Sequence, residues 1–183
     1  MSAEAVARLL VERGIAFAVI GAQAMAFRGA VRSSVDTDFF TTDRAVLTSD
    51  FWSGLANATA DVRRGDFDDP LAGVVKIELE NDHVDVVVGR HKWQLPVIAQ
   101  AEPMRVGDME MPVARAADLV LLKLFSMGMQ DRWDIHLLLA ADATIAAEVD
   151  ERIHDLPEDS RELWRQLRLN DERELPSAIR DLQ

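Results

Sequence analysis

AFAVIGAQAMAFRGAVRSSVDTDFFT, residues 16–41, is the most informative segment of this 183-residue chain. Its first five residues, Ala16–Ile20, form an apolar run of strand length, and Gly21 follows at once. The segment Ala22–Arg28 is rich in helix formers, and Val35–Thr41 alternates around two aspartates before a pair of phenylalanines. This order predicts a strand, a glycine turn, a short helix and a second strand.

The segments on either side predict further helices and strands. On the N-terminal side, apolar residues at helical spacing predict a helix over Ala3–Glu12. The predicted elements downstream are a helix over Asp43–Ala58, a charged loop over Asp61–Pro70, a hairpin of Val74–Leu79 with His83–Val88, a hairpin of Met104–Val106 with Met109–Val113, helices over Asp118–Met127 and Asp131–Ala141, and two or three shorter acidic helices. We therefore expect an α+β protein, with a small mixed β-sheet and flanking helices followed by a helical C-terminal region. The expected boundary makes residues 1–114 the core and 115–183 the helical region packed on it.

Composition excludes several classes of site. The chain has no cysteine, so disulfides, zinc–thiolate sites, iron–sulfur clusters and cysteine nucleophiles are ruled out. Its 20 basic and 32 acidic residues give a net charge of −12, which argues against broad affinity for polyanions. Half of that charge lies in residues 142–183, which hold 12 acidic and 6 basic residues. A solvated helical surface and a basic partner both account for this acidic tail.

The sequence also bears on location. No apolar segment approaches the roughly 20 residues that span a bilayer. The N-terminal residues lack the basic start and apolar core of a signal peptide. We expect a cytoplasmic protein without membrane contact.

Three aspartates are candidate metal ligands. Asp36 and Asp38 lie two residues apart on a predicted strand, so they share one face about 7 Å apart. Asp85 stands among valines in another predicted strand, where a carboxylate is costly without a partner. A divalent cation held by oxygen ligands, magnesium or manganese, would stabilise all three. The alternative is that Asp36 caps the strand and Asp38 faces solvent.

Gly21-Ala22 is a candidate anion site. A strand that ends in glycine and leads into a helix presents backbone N–H groups to an anionic phosphate. Glycine allows a close approach of the backbone. An ordinary turn between a strand and a helix explains the same residues.

The order and spacing of these parts resemble the nucleotidyltransferase superfamily of the polymerase-β type. Its pattern is a glycine followed by Gly or Ser, then Asp-x-Asp or Asp-x-Glu, then an aspartate on a later strand. The segments Ala18–Gly29 and Arg32-x-Ser34-x-Asp36-x-Asp38 resemble more specifically the AbiEii-type branch, which includes abortive-infection toxins. The segments Ala117–Leu124 and Gln130–Leu138 are similar to its later helical motif, so the resemblance covers about Ile15–Leu139.

The resemblance implies a role for each motif residue. Asp36, Asp38 and Asp85 would ligate Mg²⁺ or Mn²⁺, and Asp85 would help to activate an acceptor hydroxyl. A nucleoside triphosphate would be the substrate, and its phosphates would be held by the backbone of Gly21 and Ala22. In the same nucleotide site, Ser34 would supply a hydroxyl, and Arg32 would support the carboxylate strand or a phosphate.

Two residues of the predicted C-terminal helices complete the candidate set. Lys123 lies in an apolar helix stripe, where its stem could simply reach the surface; the resemblance implies a phosphate-binding role instead. Asp134 begins an apolar helix, so a capping or helix-dipole role explains it as well as a place in the site.

Three functions compete at this point. The first is metal-dependent transfer of a nucleoside monophosphate from a nucleoside triphosphate to an acceptor hydroxyl of a tRNA end, a protein or a small antibiotic. The second is a catalytically weak or inactive binding module, such as a toxin–antitoxin partner, which the alanine at position 22 and the acidic tail motivate. The third is a phosphatase of the haloacid-dehalogenase type, which needs a nucleophilic aspartate at the end of a buried parallel strand.

Overall fold

A central β-sheet organises the molecule, whose computed structural model describes residues 3–31, 36–80 and 82–174. The strands are β1 (Ala18–Ile20), β2 (Thr37–Thr41), β3 (Thr59–Arg64), β4 (Gly73–Leu79), β5 (Asp82–Val88), β6 (Glu102–Val106) and β7 (Met109–Val113). The helices are α1 (Ala3–Glu12), α2 (Gly21–Phe27), α3 (Leu95–Ala99), α4 (Ala116–Ser126), α5 (Asp131–Ala141), α6 (Ile145–Arg152) and α7 (Glu158–Glu174). In the described residues the strands form one seven-stranded sheet in the order β3-β4-β5-β2-β1-β7-β6. The expected α+β class, with a mixed sheet and a helical C-terminal region, is confirmed.

The middle of the sheet mixes two strand directions. β2 runs antiparallel to β1 and parallel to β5, while β4 pairs antiparallel with β5. The two predicted hairpins are therefore present, as β4–β5 and β6–β7. At the tight turn of the second hairpin, Gly107 has a φ of +62°, a conformation that glycine adopts without strain.

The two faces of the central strands differ in burial. On one face, alternate residues of β2, β4 and β5 are buried, and Phe39 makes an edge-to-face contact with Phe17 at 5.2 Å between ring centroids. The opposite face carries Asp38 and Asp85, which are only partly buried. Because side chains alternate along a strand, one face packs into the core and the other presents the two carboxylates.

The predicted helix over Asp43–Ala58 is wrong. The structure has two short 3₁₀ helices there, Arg44–Val46 and Ser49–Trp52. Polar side chains bond to the local backbone and compete with a continuous helix: Asp43 accepts from the N–H of Ala45 at 2.8 Å, and Thr48 and Ser53 donate to nearby carbonyls. The indole of Trp52 also donates to the carbonyl of Val46 at 2.8 Å and fixes this compact arrangement.

The predicted loop over Asp61–Pro70 is also partly wrong, because β3 covers its first four residues. β3 is an edge strand whose residues are exposed or half-buried, so it has no apolar pattern to reveal it. Its backbone pairing with β4, from Thr59 opposite Glu78 to Arg64 opposite Gly73, makes it a strand. The short helix α3 is a further element that the sequence did not predict.

The helices differ in length and in polarity from membrane-spanning segments. Within the part of the chain that the structure describes, no helix is both long and apolar enough to cross a bilayer.

Candidate active site

A row of charged side chains crosses the partly exposed face of the sheet. In the strand register, Asp38 on β2 is opposite Asp85 on β5, Asp85 is opposite Lys76 on β4, and Lys76 is opposite Asp61 on β3. Neighbouring strands lie about 4.8 Å apart, so Asp38 and Asp85 are next to each other on this face. The Nζ of Lys76 lies 3.7 Å from Oδ2 of Asp85. The topology thus brings together two of the three predicted carboxylates from positions 47 residues apart in the sequence.

The glycine turn lies directly against the first of these carboxylates. Gly21 starts α2 with a φ of +66°. A Cβ added to Gly21 would be only 1.9 Å from Oδ2 of Asp38. Both the backbone conformation and the close approach therefore require glycine at this position. The backbone at the start of α2 and the carboxylate of Asp38 form one continuous site.

The remaining residues of the two motifs are placed differently. Asp36 is exposed and directly precedes β2. Ala22 is the second residue of α2, and its methyl group is buried. The predicted nucleotide-binding residues Arg32 and Ser34 lie outside the described residues.

The carboxylates of this row meet part of what a divalent metal needs. Asp38 and Asp85 offer the oxygen ligands that Mg²⁺ and Mn²⁺ prefer, and their register pairing allows both to face one ion. Within residues 3–31, 36–80 and 82–174, no three acidic, histidine or cysteine side chains form a group that could hold a metal. The donor chemistry thus fits at Asp38 and Asp85, whereas the side chain of Asp36 is not gathered with them into such a group.

Lys123 belongs to a partly buried charge cluster beside the carboxylate row. Its Nζ lies 2.5 Å from Oδ2 of Asp134 and 3.1 Å from Oδ1 of Asp131. Asp134 is 1% exposed and Lys123 11%, so this ion pair is almost wholly shielded from water. The structure gives Lys123 carboxylate partners on α5, and this pairing ties α4 to α5.

Asp131 anchors the loop between these two helices. Oδ2 of Asp131 accepts hydrogen bonds from the hydroxyl of Ser126 and from the N–H of Gly128, at 2.5 and 2.7 Å. Burial alone would raise the pKa of the Asp131 carboxyl. The bond from Ser126, the charge and hydrogen bond of Lys123, and the N–H of Gly128 outweigh burial and hold that pKa below its ordinary value.

A cavity of about 430 Å³ joins the carboxylate row to this cluster. The sheet contributes Asp38, Phe40 and Val87, α4 contributes Lys123, and the loop before α5 leads to Asp131. The other lining residues are Ile20, Gly21, Pro70, Leu71, Gln94, Leu119, Leu122, Phe125 and Ser126. One half-open, mainly apolar cavity therefore contacts Gly21, Asp38 and Lys123, three of the residues that the sequence singled out. Asp85 faces a neighbouring cavity of about 450 Å³ that shares Pro70, Leu71 and Val87 with the first.

The structure adds three residues that have no role in the sequence-based prediction: Lys76, Asp131 and Gln94. The alternation of the β4–β5 hairpin could have indicated that Lys76 faces Asp85. Asp131 stands within the later helical motif. Gln94 lies in a segment whose sequence gives no sign of burial, so no sequence signal points to it.

The placement of the Asp-x-Asp motif bears on the phosphatase hypothesis. That chemistry needs an aspartate at the end of a buried parallel strand, but Asp36 and Asp38 lie before and within the start of β2. This placement disfavours the phosphatase.

The fold resembles that of a solved antibiotic-resistance factor. The solution structure of the antibiotic-resistance factor ANT(2'')-Ia matches with a TM-score of 0.54 at 12% identity, over 92% of this chain and 94% of that chain. A crystal structure of ANT(2'')-Ia in complex with adenylyl-2''-tobramycin gives a TM-score of 0.49 at 11% identity, over 81% of this chain and 94% of that one. A nucleotidyltransferase-like antigenic protein from Paracoccidioides brasiliensis also gives 0.49, at 14% identity, over 86% of this chain and 89% of that one. At these identities the likeness to ANT(2'')-Ia shows a shared fold.

Sequence comparison gives the family. None of the curated proteins is significantly similar to this chain in sequence. The model of the family described as nucleotidyl transferase of unknown function (DUF2204) matches residues 2–169, which include both the carboxylate strands and the α4–α5 cluster. The chain is therefore a member of this nucleotidyl transferase family.

Proposed function

We propose that this protein transfers a nucleoside monophosphate from a nucleoside triphosphate to an acceptor hydroxyl, with a divalent metal. The observation that carries the proposal is the contact of Gly21 with Asp38, in register with Asp85. At this contact a phosphate can approach the backbone of Gly21 closely, and two carboxylates lie next to each other. Membership of the nucleotidyl transferase family and the shared fold support the reaction class.

The reaction is an in-line displacement at the α-phosphorus. The acceptor oxygen forms a bond to the α-phosphorus while the bond to the bridging oxygen breaks, and pyrophosphate leaves. Asp85 takes the proton of the acceptor hydroxyl. The backbone N–H groups of Gly21 and Ala22 hold the leaving phosphates, because the start of a helix favours negative charge.

A divalent metal fits this proposal through the carboxylates. Asp38 and Asp85 would hold it, and the family resemblance adds Asp36, which is exposed before β2, as a third ligand. When bound, Mg²⁺ or Mn²⁺ neutralises the charge that develops on the attacking and leaving oxygens. Arg32 and Ser34 would add contacts to the nucleotide, and the resemblance gives Lys123 a phosphate contact besides its ion pairs with Asp131 and Asp134.

The same proposal assigns the parts of the chain. Residues 1–114 would form the catalytic core, and residues 115–183 would pack on it as a helical region that supplies Lys123 and Asp134. The AbiEii-type branch, and the antitoxin-type partner that it implies, rest on the motifs of Ile15–Leu139 alone. They remain predictions from the sequence.

Transfer of the α-phosphate label tests the reaction directly. The protein is incubated with Mg²⁺ and each α-labelled triphosphate, together with tRNA, a protein acceptor or a hydroxylated antibiotic. The proposal predicts a labelled product and pyrophosphate with the intact protein, and neither with Asp38→Asn or Asp85→Asn. Transfer that survives in both variants would contradict the assigned roles.

The salt dependence of acceptor affinity distinguishes the acceptor classes. An RNA acceptor would lose affinity steeply as salt is raised, because phosphate contacts release counterions. A small antibiotic or a protein hydroxyl would give a much shallower dependence. The solved antibiotic-resistance factor of the same fold makes a small antibiotic an acceptor class to include.

A second candidate is an inactive binding module of the same fold. The buried methyl group of Ala22 favours it, because the superfamily more often has Gly or Ser at this position. It predicts no metal-dependent nucleotide binding and stable association with a basic partner.

A further inference from the structure

Gln94 is a fully buried polar residue at the cavity that contains Asp38. It ends the 3₁₀ helix Lys92–Gln94 after β5, is 0% exposed, and lines the cavity together with Asp38 and Phe40. Burial of a polar side chain is costly unless all its groups are hydrogen-bonded. The contacts of its two amide atoms therefore identify which of them lacks a partner.

The orientation of the Gln94 amide is fixed by two backbone donors. Its Oε1 accepts hydrogen bonds from the N–H groups of Arg90 and His91, each at 2.9 Å. Both partners are donors, so the atom that faces them must be the oxygen. The Nε2 group is then the free end of the amide, and none of the described residues accepts a hydrogen bond from it.

Gln94 also has a defined place relative to the carboxylate of Asp38. A Cβ added to Gly89 would lie 2.6 Å from both Oε1 of Gln94 and Cζ of Phe40, so these two side chains flank the same backbone position. Phe40 follows Asp38 by two residues on β2, which corresponds to about 7 Å along the strand. That separation is of the order of the distance from an α-phosphate to its nucleobase.

We infer that Gln94 selects the nucleobase, donating a hydrogen bond from Nε2 to a lone-pair acceptor on the base edge. This inference rests on the proposed nucleotidyl transfer. The cavity that Gln94 lines has mainly apolar walls, which suit the flat faces of a heteroaromatic ring; the apolar lining includes Phe40, Val87, Leu119, Leu122 and Phe125. A triphosphate would instead need the backbone donors and cations near Gly21. A neutral amide donor in an apolar setting fits the one part of the substrate that has apolar faces and an uncharged acceptor.

Binding of the four common nucleoside triphosphates, with Mn²⁺, tests the inference by calorimetry. The intact protein should prefer one base, and ribose 5′-triphosphate, which lacks a base, should bind more weakly. Gln94→Met removes the amide at similar volume, while Gln94→Glu keeps an oxygen for Arg90 and His91 but has no Nε2 donor. Each should weaken the preferred triphosphate roughly tenfold, as expected for an unmade hydrogen bond in a buried site, and leave the base-free ligand unchanged.

The exposed Gln100 provides a matched control, because Gln100→Glu makes the same chemical change outside the cavity and should alter nothing. A second arm uses the intact protein alone, so it does not depend on how the variants fold. Analogues of the preferred triphosphate that each lack one lone-pair acceptor on the base are compared, and one should lose about tenfold in affinity.

The outcomes separate this inference from the function on which it rests. Equal affinity for all four bases, or an unchanged preference in Gln94→Met and Gln94→Glu, would overturn the role of Gln94 while nucleotide binding stands. Failure of the intact protein to bind any triphosphate would overturn the proposed function itself.

Discussion

The backbone of Gly21 and the carboxylate of Asp38 are so close that any side chain at residue 21 would overlap Oδ2 of Asp38. The hypothetical Cβ lies 1.9 Å from that oxygen. Two motifs separated by 16 residues in the sequence are therefore one structural unit. This contact explains why a glycine must precede α2, whatever ligand the site binds.

We predict that Gly21→Ala abolishes nucleotide binding. The new methyl group must displace the carboxylate of Asp38, and placing a side chain at the positive φ of residue 21 adds a cost of about 1–2 kcal/mol. Gly14→Ala is the matched control, because Gly14 has a φ of +70° with no atom within 4 Å of the added Cβ. Both variants should unfold at a lower denaturant concentration than the wild type. Only Gly21→Ala should lose affinity in calorimetry, and equal affinity in both variants would refute the close-contact explanation.

A second prediction concerns the Lys123–Asp134 pair. Lys123→Met leaves a carboxylate that is 1% exposed without its cation, so the free energy of unfolding should fall by about 3–5 kcal/mol. The double variant Lys123→Met/Asp134→Asn also replaces this carboxylate by a neutral amide and should recover much of the lost stability. Urea titration measures both effects.

The same double variant separates the two roles of Lys123. If Lys123 also contacts phosphate, the stable double variant should still bind triphosphate more weakly than the wild type. Unchanged affinity would make Lys123 a purely structural residue that joins α4 to α5.

The pH dependence of stability should reveal Asp131. Its pKa is lower in the folded protein than the ordinary value of 3.8, so the folded state favours the charged carboxylate. The stabilisation is therefore complete above about pH 5 and is lost as the pH falls through 3.8 towards the lowered folded pKa. The stability difference between the wild type and Asp131→Asn should shrink over that interval. Ser126→Ala should reduce the pH range over which this stabilisation is lost, since it removes one hydrogen bond that lowers the pKa of Asp131. A difference that stays constant with pH would contradict the assignment.

Asp118 is predicted to stabilise the fold without acting in the site. It is 0% exposed, accepts a hydrogen bond from Arg115 at 3.3 Å and pairs with Arg152 of α6. Asp118→Ala leaves two arginines around a small cavity and should cost about 3 kcal/mol in the free energy of unfolding. Triphosphate affinity, measured at a temperature where the variant is folded, should not change. A selective loss of affinity would place Asp118 in the site instead.

Much of the fold follows from local sequence patterns. The helices over Ala3–Glu12 and Asp131–Ala141 have the predicted bounds, because amphipathic spacing and flanking residues agree there. The segment Asp43–Ala58 does not form the predicted helix, because hydrogen bonds from side chains to the local backbone replace the helical hydrogen bonds. β3 was missed because an exposed edge strand is defined by backbone pairing with its neighbour, and that pairing is not visible in a single segment.

The site was predictable only where a motif carries it. Asp36, Asp38 and Asp85 were identified from the chemistry of carboxylates on strands, and the register of β2 with β5 brings Asp38 and Asp85 together. The partners of Lys123 depend on how α4 packs against α5, which helical periodicity does not specify. Gln94 could not be found because its role comes from burial and from the donors of Arg90 and His91, both of which depend on tertiary structure.

The most direct test is calorimetric titration of non-hydrolysable nucleoside triphosphates with Mg²⁺ into the intact protein and into Asp36→Ala/Asp38→Ala. Asp61→Ala is the control, because Asp61 lies in the same row of the sheet, beyond Lys76. The account predicts metal-dependent binding that is lost in the double variant and retained in Asp61→Ala. Absence of binding by the intact protein, or binding that survives in the double variant, would contradict it.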